Sequence, residues 1–400
     1  MAIRFTLWLL VALLCGFGLV MVASTTAAMG NDPTQVNYSF LLKQLAAMAA
    51  GVLGAWVVSR WLGTERLANP WWVTALVGGT ILSLIAVLAV GREVNGAKRW
   101  IDAGPVNIQP SELAKVCIVI GLAWYAVRFA PLLRTTWYGV LLPLGGFVLL
   151  AGPVYLTKDL GSVVVMAVVL SAMLAFAGAR IWHFLGLVAL IMPALVFQAA
   201  WSVGYRRDRM TAYFDPLNGD SPTAYHLKQS FIALGTGGVS GTGVGQGPSK
   251  LGFLPEKHTD FIFAVIGEEF GMIGGCCLAG AYLLLIGLGL HIAASSRDYH
   301  RRLLAVGATV VLGFQAFGNM LVVTGAVPTK GMTLPFISYG GTSVGVCLLF
   351  IGILDAVARG NAKDLSQTAT IRRGATARTS RSITWHAYPS VEETIPGVRR

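Results

Sequence analysis

Charge is scarce in this chain. Of its 400 residues only 12% are Asp, Glu, Lys or Arg, and the acids number 18. Soluble globular domains carry about 25% charged residues, so a water-facing domain of this length is excluded. Cysteine is sparse too: Cys15, Cys117, Cys276, Cys277 and Cys347 all lie inside apolar runs. They form no disulfide framework and no Cys/His metal spacing, and packing as small hydrophobes accounts for them. A repeat of about 20–50 residues, the mark of a solenoid, is missing. So are a Gly-Lys-Ser/Thr phosphate loop, a Ser-His-Asp order and an Asp-x-Asp metal motif. No nucleic-acid partner is expected.

What the chain has is apolar sequence, 55% of the total. It is arranged in runs long enough to cross a bilayer, about 20 residues each. The runs fall near 5–26, 38–59, 71–90, 109–128, 138–156, 160–177, 182–202, 261–292, 303–326 and 338–358. In lipid only a helix satisfies every backbone group within one segment, and barrel strands would alternate and be about half as long. The expected fold is therefore all-α: a polytopic membrane protein with about ten transmembrane helices. The first run is too long, and too poorly followed by a small-residue cleavage site, for a removable signal peptide, so it reads as a retained helix.

An even number of spans puts both termini on one side. Arg60, Arg66, Arg128, Arg134, Arg180, Arg297, Arg301 and Arg302 follow even-numbered runs, and Lys363, Arg372, Arg373, Arg378 and Arg381 follow the last. The positive-inside rule makes that side cytoplasmic. The opposite loops should be poor in cations, yet they hold Arg92, Lys98, Arg99, Lys158 and Lys330. A cationic outer cavity that binds a phosphate-bearing lipid explains these charges, and snorkelling to outer headgroups is the rival explanation.

Residues 1–358 read as one membrane domain, and 359–400 as a disordered, basic cytoplasmic tail rich in Ser and Thr. A long extracytoplasmic loop, about 203–260, joins helices 7 and 8. Its glycine run, Gly235-Thr236-Gly237-Gly238-Val239-Ser240-Gly241-Thr242-Gly243-Val244-Gly245, lacks the strand-turn-helix setting of a nucleotide cradle. Close approach of backbone to a membrane surface or a substrate is the better reading.

Acids at or within apolar runs are Glu112, Asp159, Asp260, Glu268, Glu269 and Asp355. An ionised carboxylate in the bilayer costs about 2.5–3.5 kcal/mol, which makes each a functional candidate. Asp260 stands at the outer end of the eighth run, where it can meet both a lipid tail and a polar headgroup. A carboxylate there can act as a general base. The rival is helix capping, for which Thr259 and Asp260 both suit. Glu268 lies about 80° around the helix from Asp260, and Glu269 faces nearly opposite. Glu112 and Lys115, three apart, can pair on one face. Arg99 suits an interfacial anion beside Trp100, itself a natural aromatic-belt anchor. His226 and His258 lack a third ligand and read as surface hydrogen-bonding groups.

Several segments in one order resemble the SEDS family (shape, elongation, division, sporulation) over residues 1–358. They are Asn95 to Ile101, Gln109 to Lys115, Lys158-Asp159-Leu160-Gly161-Ser162, Tyr225 to Ser230, Pro255 to Gly271 and Pro328 to Gly341. Ile266-Gly267-Glu268-Glu269 and Lys330 to Phe336 look more like the FtsW branch than the RodA branch. One departure is Lys158 before Asp159, where members often have Gln-Pro; the tail matches nothing in the family.

The resemblance implies a peptidoglycan glycosyltransferase in the bacterial cytoplasmic membrane at the division septum. Such enzymes polymerise lipid II, a disaccharide-peptide on undecaprenyl pyrophosphate, into a nascent glycan strand. The family's catalytic aspartate falls on Asp260. By resemblance the substrate would meet Arg99, Lys98, Lys115, Glu112, Asp159, His226, Gln229, Ser230, His258, Thr259, Glu268, Lys330 and Ser338. Arg99, Lys98, Lys115 and Lys330, in that order, are the candidates to offset pyrophosphate charge. No cofactor is implied, and the residues do not decide whether a divalent cation assists. The implied partners are a class B penicillin-binding protein, a transpeptidase such as FtsI, and other division proteins of the membrane. A lipid II flippase and a non-catalytic division scaffold are the competing readings; the sequence lacks the inverted repeat with paired broken helices common in transporters.

Overall fold

The computed structural model describes residues 2–26, 38–94, 97–103, 106–180, 222–251, 254–328 and 331–381, with isolated positions between 182 and 215. Nine of the ten expected spans are helices; the seventh, 182–202, lies largely outside the described residues. In chain order the helices are α1 (Ala2–Thr26), α2 (Tyr38–Val57), α3 (Pro70–Val90), α4 (Pro110–Arg128), α5 (Tyr138–Leu156), α6 (Leu160–Phe176), α7 (Pro222–Gly237), α8 (Ile262–Ala294), α9 (Tyr299–Val323) and α10 (Gly341–Arg381). Eight are long and apolar enough to cross a membrane, and α6 is a shorter apolar helix. The protein is an all-α, multi-pass membrane protein.

Local signals set several of the starts. Asn69 caps α3 by accepting from Trp71 N, with Pro70 in the first turn. Asp159 caps α6 and Asp298 caps α9 in the same way. The central helices are α4, α9 and α10, buried over 72, 78 and 72% of their apolar stretches, against 22% for α3 and α8. Leu82, Ile85, Leu142 and Leu283 on outer helices are exposed, as a lipid-facing surface requires.

Four features depart from the sequence reading. Residues 92–108 form a small antiparallel sheet, β1 (Arg92–Val94), β2 (Ala97–Ala103) and β3 (Val106–Ile108), in the order β1-β2-β3. The segment is too short and polar to show helical periodicity, and pairing satisfies its backbone. The long loop is not all loop: Pro222–Gly237 is a helix packed on α8. The tail does not begin at 359 as irregular chain, because α10 runs on to Arg381. Residues 382–400 lie outside the described residues.

The fourth departure is a break in α8 at Gly271, whose φ of 66° and ψ of −166° are open in practice only to glycine. A break releases backbone groups that must be satisfied elsewhere. The glycine run does this. Thr242 N donates to Glu268 O (2.9 Å), Gly243 N to Glu269 O (3.1 Å), Met272 N to Gly238 O (2.9 Å) and Ile273 N to Val239 O (3.2 Å). Its glycines therefore allow backbone to approach a broken helix rather than a substrate or a membrane surface.

Candidate active site

The ends of α3, α5 and α9 and the starts of α4, α6, α7, α8 and α10 meet at one end of the bundle, where the conspicuous polar residues collect. Asp260 is half-buried there. It does not cap α8. The N-cap is Phe261, which makes no side-chain cap, and Thr259 Oγ1 bonds instead to Glu256. The helix therefore takes its N-cap one residue after the acid.

The backbone leading into Asp260 is fixed at three consecutive carbonyls. His258 O accepts from Tyr339 N at 2.8 Å, Thr259 O from Ser338 Oγ at 2.6 Å, and Asp260 O from Asn319 Nδ2 at 2.7 Å. Asn319 Nδ2 also donates to Met332 O at 2.6 Å. Gln44 of α2 holds the other side of the 331–340 segment, giving to Ser338 O (3.2 Å) and accepting from Gly340 N (3.3 Å). Ser338 is fully buried, its hydroxyl also accepting from Leu334 N. These bonds bring Gly331 against the acid: a Cβ built there would lie 2.9 Å from Asp260 Oδ2.

A second cluster adjoins the first through Gly331, because a Cβ on Gly161 would lie 2.6 Å from Gly331 O and 3.7 Å from Asp159 Oδ1. Asp159 Oδ2 accepts from Ser111 Oγ (2.7 Å), Ser162 Oγ (2.8 Å) and Gln109 Nε2 (3.1 Å). Burial pushes this carboxyl up, but the Ser111 bond and the Arg99 charge outweigh it and hold it below the usual carboxylate range. Arg99 clamps the α5–α6 turn, donating to Thr157 O (3.3 Å) and Lys158 O (2.7 Å). Lys158 itself sits at φ 62°.

The predicted site residues separate accordingly. Lys115 and Glu112 form a fully buried pair at 2.7 Å, so Lys115 is committed inside α4 and is not a free cation for a pyrophosphate. Lys98 is half-buried on β2 opposite Glu93, and strand alternation turns it away from the face that carries Arg99. Lys330 lies outside the described residues, although its neighbour Gly331 touches Asp260. Ser230 is buried, ties α7 to Val323 O at 2.8 Å, and serves packing. His226 stacks on Phe261 with ring centroids 5.7 Å apart, and Gln229 is half-buried on α7. Neither histidine is a plain surface group: His258 packs against Phe40 and Tyr339, and burial holds its pKa below the usual value. Glu268 accepts from Ser249 Oγ at 2.9 Å, beside the helix break, and Glu269 is buried next to it. Asp355 belongs to the opposite end, paired with Arg4 at 2.6 Å and with Ser59. Among the described residues no three His, Cys, Asp or Glu side chains converge as a metal cage would require.

Known proteins match this arrangement along nearly the whole chain. Residues 4–363 match the FtsW/RodA/SpoVE family, described as "Cell cycle protein". The chain belongs to this family. It is 39% identical to "Probable peptidoglycan glycosyltransferase FtsW" of Geobacter metallireducens over 356 residues, 86% of this chain and 91% of that one. The like-named Coxiella burnetii protein is 36% identical over 353 residues, 86% of this chain and 93% of its own. Among solved structures, the chain resembles one from a peptidoglycan synthase complex described as coordinating polymerization and crosslinking, with a TM-score of 0.73, 29% identity, and coverage of 89% and 98%. It also resembles the rod-shape-determining protein RodA of Thermus thermophilus, with a TM-score of 0.65, 29% identity, and coverage of 89% and 97%.

Gln44 and Asn319 are the residues of this family member that sequence reading missed. Both are amides within apolar runs, and a search for charge passes over them. A polar side chain in a span is itself a signal, since lipid offers it no partner.

Proposed function

We propose that Asp260 is the general base of glycan polymerisation and that the site end of the bundle faces outward. The chain is a peptidoglycan glycosyltransferase, the activity its curated relatives carry in their names at 36–39% identity over most of its length. Asp260 carries the assignment of the base. It is a half-buried acid at the membrane border, one residue before the N-cap of α8, with its backbone held at three successive carbonyls. Fixing a reactive group in advance is what catalysis asks of a scaffold.

In the proposed reaction lipid II is the donor. The acceptor sugar's 4-hydroxyl attacks the anomeric carbon of the donor. Its proton passes to an Asp260 oxygen as the new C–O bond forms. The old bond to the lipid pyrophosphate breaks, and the pyrophosphate leaves with the electron pair. One displacement inverts the α-linked donor to a β-linked product and needs no covalent nucleophile. Lys330, the chain neighbour of Gly331, is the cation for the leaving group; Arg99 contributes field while it clamps the α5–α6 turn.

Both termini are then cytoplasmic, in keeping with the arginines of that end, and the enzyme works at the division septum. Its partners are a class B penicillin-binding protein, a transpeptidase such as FtsI, and other division proteins of the membrane. The test is to purify the chain with that transpeptidase and add lipid II. Glycan strands should form with the parent and vanish with Asp260→Ala; strands made at the parental rate by Asp260→Ala would sink the assignment.

A further inference from the structure

We infer that Asn319 is a positioning residue for Asp260, an inference that rests on Asp260 being the base. Asn319 stands on α9, 1% exposed, between the two segments that make the site. One comes before α8 and contains Asp260; the other comes before α10 and contains Gly331 and Met332. The Nδ2 amide bonds to both, at 2.7 Å to Asp260 O and 2.6 Å to Met332 O. Its orientation is forced. Both partners are carbonyl oxygens, so only the NH2 group can face them, and Oδ1 is left buried with no hydrogen-bond partner among the described residues.

The consequence is geometric. Met332 follows Gly331, whose missing Cβ leaves room for the Asp260 carboxylate. A single amide therefore sets the separation between the main chain of the acid and the wall against which that acid rests. The neighbouring bonds, Ser338 Oγ to Thr259 O and Tyr339 N to His258 O, hold the preceding residues. Asn319 alone among the three grips Asp260 itself. Its loss would free the carboxylate to turn away from the acceptor hydroxyl without touching the surface that binds lipid or sugar.

The test uses the full chain purified with its transpeptidase, with lipid II as substrate. Asn319→Asp keeps the side chain's size and removes both donors. Its kcat should fall at least tenfold, with KM for lipid II within twofold of the parent. Asn319→Gln retains the NH2 group one methylene further out and should recover part of the rate that Asn319→Ala loses. That rescue reads the same contact if Asn319→Asp fails to fold. Asn319→Asp at parental kcat, KM rising in step with the loss, or Asn319→Gln no better than Asn319→Ala would each overturn the inference. Asp260→Asn is run alongside. If it loses the rate while Asn319→Asp keeps it, only the positioning role fails; if it keeps the rate, the base assignment itself fails.

Discussion

Replacing Gly331 with alanine should slow the reaction while leaving the fold nearly as stable as before. The added Cβ would lie 2.9 Å from Asp260 Oδ2, where ordinary contact begins at 3.4 Å, so the two must separate by 3.4 − 2.9, about 0.5 Å. The group that yields is the tip of a side chain, which can turn at small cost, because the Asp260 main chain is pinned. Stability should thus change by less than about 1 kcal/mol, within the range of mild substitutions. The rate should not escape so lightly. A misplacement of about 1 Å can cost about a hundredfold, so half that should cost roughly tenfold. The assay pairs lipid II polymerisation with thermal unfolding of the detergent-solubilised protein. Gly161→Ala is the control, since its Cβ would press on the Gly331 carbonyl at 2.6 Å, backbone that cannot turn aside. It should lower stability and rate together. A Gly331→Ala protein with parental kcat would refute the placement of the carboxylate; one that unfolds like Gly161→Ala would refute the claim that only a side-chain tip must move.

Three further outcomes follow from the geometry. Glu112→Gln or Lys115→Met, each leaving one buried partner of the 2.7 Å pair alone, should destabilise by about 3–5 kcal/mol, and the double change Glu112→Leu with Lys115→Met should recover much of it in unfolding assays. Asp159 titrates below its ordinary value in the folded chain, so it stabilises above the ordinary carboxylate range, and that contribution is lost as pH falls through the depressed folded value. Acid unfolding of Asp159→Asn should accordingly show a shallower loss below about pH 4 than the parent. Gly271→Ala places a Cβ against Gly241 N in a conformation other residues avoid, and should cost more than about 2 kcal/mol by thermal unfolding while loosening the 238–243 segment to hydrogen exchange.

The sequence alone determined the class of protein and the location of nearly every span. The apolar runs locate helices because the bilayer demands a fixed length and full backbone pairing, both of which are one-dimensional requirements. It also marked Asp260, since an acid at the edge of an apolar run stands out, and it offered Glu112–Lys115 as a pair because their spacing places them on one helix face. It could not say that Lys115 is spent on that pair, or that Arg99 grips the α5–α6 turn, because those depend on burial and on carbonyls 58 and 59 residues away. Nor could it place the start of α8 at Ile262, which puts Asp260 one residue before the N-cap position. Only tertiary structure brought Asn319, Ser338 and Tyr339 to three successive carbonyls, 59 to 81 residues apart in the chain. Hydrogen bonds between segments depend on how the helices pack, and no periodicity in the sequence records that.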